Sequence, residues 1–326
     1  VQPAVVTGIG SWPGTNVREA ATMVRDLCPH LPHLVELPQR GPGADMIGRT
    51  MSLLSAISSD LSVETTTTGW RLAKSRGRDM RRADAYLDED LDVVEEVFEN
   101  YVGDYKVQLV GPWTLAAGVD TSSGDKLLTD VGACREVAEV LAHAAQQHVA
   151  AVSKRLPGAN IILQIDEPSL PFVLQGGIKT QSGWGKYSPV EPQIVAGSLQ
   201  SVADSTEGFS VLHCCASDVP FELIYSSGFD AISIDTALFG DELFDVIGQA
   251  HDHKKRVFLG RNPSSLDTGL AYLSHLARRI GLSAQELSDT IALSPPCGLV
   301  NATMSDARER IERLNAVSVA LQEVDL

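Results

Sequence analysis

Asn160-Ile161-Ile162-Leu163-Gln164-Ile165-Asp166-Glu167-Pro168 is the stretch on which the fold turns. A near-continuous apolar run that closes on carboxylates and a proline predicts a parallel strand buried on both faces and ending at a polar rim. Similar runs lie on either side of it. Ala4–Gly8, His33–Leu37 and Lys106–Gly111 precede it, and Phe209–His213, Asp230–Asp235, Arg256–Gly260 and Ile291–Ser294 follow. Helix-length amphipathic stretches separate them: Asn16–Cys28 behind an N-capping Asn16, Glu89–Tyr101, Asp130–Leu156 halted by Pro157-Gly158, Pro192–Asp204, Val219–Ser227, Asp241–Asp252, Ser265–Ile280 and Ser305–Gln322. Strand–helix alternation predicts a parallel sheet. Eight strands count out an α/β (β/α)8 TIM barrel, one unit over residues 1–326, with an open doubly wound sheet as the competing arrangement. About seventy residues between the second and third strands predict an insertion there, which carries a basic cluster over Arg71–Arg82. That cluster reads as a solvated loop, and Gln175–Pro189 as a long loop after the fourth strand.

Composition narrows the function classes. Of 326 residues, 44% are hydrophobic and 21% charged, which is globular and excludes disordered or low-complexity protein. Lys+Arg 26 against Asp+Glu 42 leaves a formal charge of −16, which repels nucleic acid and anionic membranes. No apolar run approaches the ~20 residues of a transmembrane helix. Val1–Ser11 has neither the basic nor the long apolar segment of a secretory signal. Five cysteines in a chain large enough to build its own core point to free thiols and a reducing cytoplasm.

Barrel chemistry sits at the carboxyl ends of strands. Those ends supply Ile9-Gly10-Ser11-Trp12-Pro13, Glu36, Gly111-Pro112-Trp113-Thr114, Asp166-Glu167-Pro168, His213-Cys214-Cys215, Asp235, Arg261-Asn262 and Cys297-Gly298. His213 and Cys215 are two apart on a strand and share a side, so imidazole and thiolate can converge on one ion. With Cys297 at the same rim they form a soft donor set suited to zinc, which Asp235 or a substrate atom could complete. Cys214 faces the other way, as a buried structural thiol. Asp166, a carboxylate closing a buried strand, costs desolvation unless it meets a partner such as a substrate ammonium.

The segments Ile9-Gly10-Ser11-Trp12-Pro13, Gln164-Ile165-Asp166-Glu167-Pro168, His213-x-Cys215 and Pro296-Cys297-Gly298-Leu299 follow one another across nearly the whole chain. Together they resemble the C-terminal catalytic barrel of cobalamin-independent methionine synthase, in a short single-barrel form. The resemblance implies Zn2+ on His213, Cys215 and Cys297, and a small thiol, homocysteine, activated there and methylated to methionine. The family's fourth ligand is a Glu closing an Asp-x-Ile-x-Ile-Glu run; here Asp230-Ala231-Ile232-Ser233-Ile234 closes on Asp235, one methylene shorter. Ile9 and Ser11 match positions that hold the amino acid's carboxylate end, and Glu36 and Asp166 match carboxylates that hold its ammonium.

Two departures bear on the methyl donor. The full-length enzyme has a second, amino-terminal barrel, and the expectation here is a single one. The family also places a proton-donating His after strand seven, where this chain reads Leu259-Gly260-Arg261-Asn262-Pro263. Folate is a poor leaving group unless its nitrogen is protonated. The donor implied is therefore methyl-tetrahydrofolate or, as for short single-barrel relatives, a corrinoid protein or methylcobalamin. Two other functions compete: a uroporphyrinogen-decarboxylase-like barrel enzyme, which has no need of the His-x-Cys…Cys set, and a non-catalytic relative that stores zinc or senses thiols.

Overall fold

The computed structural model describes residues 3–323. Its strands are β1 (Val5–Val6), β2 (Val63–Thr66), β3 (Gly69–Leu72), β4 (Gly103–Val110), β5 (Val119–Asp120), β6 (Ala159–Asp166), β7 (Ser210–Cys214), β8 (Ala231–Asp235), β9 (Arg256–Gly260) and β10 (Ile291–Ser294). Seven of them form one curled parallel sheet in the order β1-β10-β9-β8-β7-β6-β4. The eighth expected strand, His33–Leu37, contributes isolated parallel bridges instead, His33 to Lys106 and Ser11 to Glu36. Its partners change within three residues. Leu34 N donates to Lys106 O at 2.8 Å, whereas Glu36 N donates to Gly10 O at 3.1 Å. A segment that switches from one edge of the sheet to the other so quickly cannot run a ladder with either.

The helices are α1 (Val17–Leu27), α2 (Met46–Ile57), α3 (Arg78–Val97), α4 (Pro112–Gly118), α5 (Val131–Arg155), α6 (Leu170–Leu174), α7 (Pro192–Ala203), α8 (Phe221–Ser226), α9 (Glu242–Asp252), α10 (Leu266–Ile280), α11 (Ala284–Thr290) and α12 (Met304–Leu321). Caps set several boundaries. Asn16 accepts from Glu19 N, Asp130 from Gly132 N and Ala133 N, and Ser265 closes a capping box with Thr268. Between the 33–37 segment and β4 lie α2, the β2–β3 hairpin and α3, and β5 pairs with β3 to make a small second sheet. The arginine-rich stretch at 71–82 runs from β3 into α3 rather than along a loop. Arg71 meets Glu64 at 2.6 Å and Arg76 meets Asp84 at 2.6 Å. No described helix is long and apolar enough to cross a membrane.

Period-two alternation decides what the sheet presents to its concave side. Ile162, Val211, Ala231, Phe258 and Ala292 join Leu31 in an apolar cluster near the start of the strands. Two residues further along, the same face carries Gln164, His213, Ser233 and Ser294, all buried. Two further again, it carries Asp166, Cys215 and Asp235. The opposite face, with Ile165, Leu212, Cys214, Ile234 and Leu259, belongs to the main core against the helices.

Glu167 is built into the scaffold. Its Oε1 accepts from Trp113 N at 2.8 Å, and its Oε2 from Thr114 N at 2.8 Å and Thr114 Oγ1 at 2.7 Å, which satisfies the free amides that open α4. Gly111 leaves the room: a β-carbon there would collide with the Glu167 carboxylate. Gly111→Ala is expected to lose about 1–3 kcal/mol of unfolding free energy in urea denaturation, the usual range for overpacking a tight core.

Candidate metal and amino-acid site

His213 ends the inward face of β7, Cys215 follows it out of the strand, and Cys297 sits just beyond β10. Their ligand atoms all lie within 4.8 Å of one another. The two sulfurs are 3.7 Å apart. Two thiolates bound tetrahedrally to zinc at 2.3 Å would be separated by about 3.8 Å, so the pair is spaced for that ion. His213 Nδ1 is 3.0 Å from Ser233 Oγ, while its Nε2 is buried without a partner. The hydroxyl orients the ring, and the orphaned nitrogen faces the place a metal would fill. Cys297, facing the Cys215 thiol and the His213 ring, is held below the usual thiol range, and Cys215 is pushed above it.

A cavity of about 350 Å³ joins these ligands to the amino-acid residues expected from sequence. Ile9, Ser11, Glu36 and Asp166 line it together with His213, Cys215 and Cys297. Gly298 packs on Ser11 so closely that any side chain would overlap the hydroxyl. Asp235 lies elsewhere. It is outside the three-residue donor group, its Oδ1 accepts from Ala237 N at 2.9 Å, and it lines a neighbouring cavity.

Both cavity carboxylates are strained toward the neutral form by burial. Glu36 is pushed up to about 7, against the opposing pull of Arg49, whose Nε is 3.8 Å from its Oε1. Asp166 is also raised, chiefly by desolvation, with His213 opposing. A ligand cation placed between them would relieve both.

Sequence reasoning missed what lies beneath. Lys106 is fully buried, and its Nζ donates to Ile9 O at 2.9 Å and to Gln164 Oε1 at 2.7 Å. Gln164 Nε2 in turn donates to Asp166 Oδ1 at 2.7 Å and to Ile9 O at 2.8 Å. Burial pulls Lys106 down to about 8. Gln108 Nε2 similarly donates to Glu36 Oε1 at 3.1 Å. The signal was present in β4, where Lys106 and Gln108 alternate with Val107 and Leu109. Asp45 was missed as well. It lines the cavity and accepts from Trp70 Nε1 at 2.9 Å, which ties the β2–β3 hairpin to the start of α2.

These features define an α/β protein equipped to hold one metal through nitrogen and sulfur at the carboxyl rim of a parallel sheet. The chain belongs to the cobalamin-independent methionine synthase family: residues 4–322 match the family described as cobalamin-independent synthase, catalytic domain. A B12-independent methionine synthase from Shewanella sp. W3-18-1, solved in complex with selenomethionine, is similar in fold at a TM-score of 0.60 and 12% identity, over 99% of this chain and 98% of that one. A putative dihydrodipicolinate synthetase from Pseudomonas aeruginosa is a weaker likeness, at a TM-score of 0.42 and 11% identity over 99% of this chain and 86% of that one. A search of curated proteins finds no match.

The donor set makes a direct prediction. After loading with zinc and desalting, the wild-type chain is expected to retain roughly one ion per chain, and Cys215→Ser or Cys297→Ser less than about a tenth of that. Equal retention by all three in elemental analysis would place the metal elsewhere.

Proposed function

We propose that the chain, acting as one unit over residues 1–326, transfers a methyl group to the sulfur of homocysteine and forms methionine. The observation that carries this reading is the single cavity where a His–Cys–Cys donor set meets two desolvated carboxylates. A thiol and an ammonium on one small molecule match those two halves. We read the 33–37 segment as the remaining strand of a full (β/α)8 barrel, and the α2, β2–β3 and α3 region as an insertion between its second and third strands.

Free thiols with pKa ~8.5 are only about 3% ionised at pH 7. Zinc held by His213, Cys215 and Cys297 would supply the Lewis acidity that keeps the substrate sulfur ionised. The protein's own residues do the rest. Glu36 and Asp166 receive the ammonium, and Ile9 and Ser11 border its carboxylate. Lys106 holds the Gln164 amide so that its nitrogen faces Asp166. Asp235 stands outside the His213, Cys215 and Cys297 group, so the substrate sulfur would complete the donor set. Chemistry is then a displacement: sulfur forms a bond to the methyl carbon as the donor departs with the electron pair. The cavity contributes orientation and exclusion of water. The donor is folate- or corrinoid-linked. The five unpaired cysteines suit a reducing cytoplasm.

Methionine is expected from homocysteine and either methylcobalamin or methyl-tetrahydrofolate when the zinc-loaded chain is assayed by mass spectrometry, with Cys297→Ser losing zinc and turnover together. Zinc-replete protein that turns over neither donor would favour a thiol sensor and sink the proposal.

The carboxylates add a pH dependence with a defined sign. Glu36 must lose its proton to hold an ammonium, so methionine affinity is expected to rise between pH 6 and 8, by up to roughly tenfold per unit below its pKa of about 7. In Glu36→Gln, calorimetry should find weaker binding with this rise diminished. The stability of the free protein is expected to follow the opposite trend. The folded chain holds the Glu36 proton more tightly than the unfolded one, so this group's contribution to stability is present at acid pH and declines up to about 7.

A further inference from the structure

We infer that Arg261 anchors a second ligand site, one that takes a carboxylate or phosphate group, beside the amino-acid cavity. A larger cavity, about 770 Å³, opens at the ends of β8 and β9 and is bordered by Asp235, Thr236, Phe244, Arg261, Tyr272 and Pro296. Pro296 is the residue before Cys297, so the two cavities adjoin across a single stretch of backbone.

Arg261 is held as a prepared cation. Its backbone N–H donates to Ser294 O at 2.8 Å, continuing the sheet one residue past β9. Its guanidinium carbon lies 3.8 Å from the centroid of the Tyr272 ring. Nη1 donates to Thr236 Oγ1 at 3.4 Å, and that hydroxyl donates onward to Gly260 O at 3.0 Å. All these partners are neutral. Among the described residues Arg261 forms no ion pair, whereas Arg40 and Arg49 both close on Asp90 in the interior.

This half-buried guanidinium is stacked on a ring and borders a cavity, which leaves its free edge open to an anion. Its planar fork matches a carboxylate or phosphate in two parallel hydrogen bonds. The acids bordering the cavity do not fill that role. Asp235 is engaged by the Ala237 amide, and Asp241 stands exposed at 3.8 Å from Arg279. Their charge favours a ligand with one directed acidic group over a diffuse polyanion. Phe239, Phe244 and Pro296 give the remainder of such a ligand an apolar wall. A guanidinium binds and does not protonate. On the methyl-transfer reading, with which this point stands or falls, Arg261 holds the acidic end of the methyl donor while its methyl group reaches the neighbouring cavity.

The test is calorimetric titration of the full chain, zinc-loaded and chelator-stripped, with inorganic phosphate and separately with benzoate at low ionic strength. Wild type is expected to bind one or both in either metal state. Arg261→Gln should bind at least tenfold more weakly with zinc content and methionine affinity unchanged, and Arg261→Lys should fall between. Preference for phosphate assigns a phosphorylated ligand; preference for benzoate assigns an aromatic or aliphatic acid. Equal affinity in Arg261→Gln, binding lost on removal of zinc, or no binding of either probe by wild type would each overturn the site. Where a donor turns over, Arg261→Gln should raise the donor KM and leave the homocysteine KM alone. Failure of every donor would remove the methyl-transfer reading and leave the titration to judge the anion site.

Discussion

The site depends on one register. Asp166 of β6 lies opposite His213 of β7, and His213 lies opposite Ser233 of β8. A carboxylate, an imidazole and a hydroxyl from three strands are thus placed side by side on one level of the sheet. Slipping any strand by a single residue would turn its polar side chain to the helix face and bring an apolar one in. The apolar cluster formed by Ile162, Val211, Ala231 and Phe258 opposes such a slip, because those residues would lose their burial together. Hydrophobic packing at one end of the strands therefore sets the chemistry at the other.

Charge is distributed over this frame so that two buried carboxylates border the cavity. Glu36 and Asp166 face it. Lys106 lies below them and Arg49 beside Glu36, and burial shifts Glu36, Asp166 and Lys106 toward their neutral forms. Arg49 is shared with Asp90, which draws part of its charge away from Glu36. A cation entering the cavity would favour the charged forms of both carboxylates. Glu167, adjacent to Asp166 in sequence, serves a different end. It spends its oxygens on the amides of α4 and positions the loop that follows β4.

The rim is asymmetric. On the β6–β7 side the side chains converge on a small cavity with soft ligands. On the β8–β9 side Asp235 and Arg261 border a larger one with aromatic walls. Asp235 and Arg261, which the sequence placed at the rim with the metal-competent residues, both fall on that second side. The His213, Cys215 and Cys297 group lies wholly on the first.

Much of this was legible in the chain. Runs such as Asn160–Asp166 and Arg256–Gly260 announce buried parallel strands, and Asn16, Asp130 and Ser265 mark helix starts, because alternation and capping are local properties. His213-x-Cys215 also declares a shared face by spacing alone. Segment 33–37 read as a strand but forms only bridges, since its partners lie on two edges that sequence does not bring together. Lys106 and Gln108 looked like ordinary strand residues. Only folding revealed that their side chains run under Glu36 and Asp166, since burial and charge coupling depend on neighbours some sixty to seventy positions away in the chain. Likewise the composition of strand ends named Asp235 and Arg261 as rim residues, but their separation from the metal donors was decided in three dimensions. The sequence by itself determined which residues reach the rim, through periodicity; the tertiary structure decided which of them meet, through the curl of the sheet.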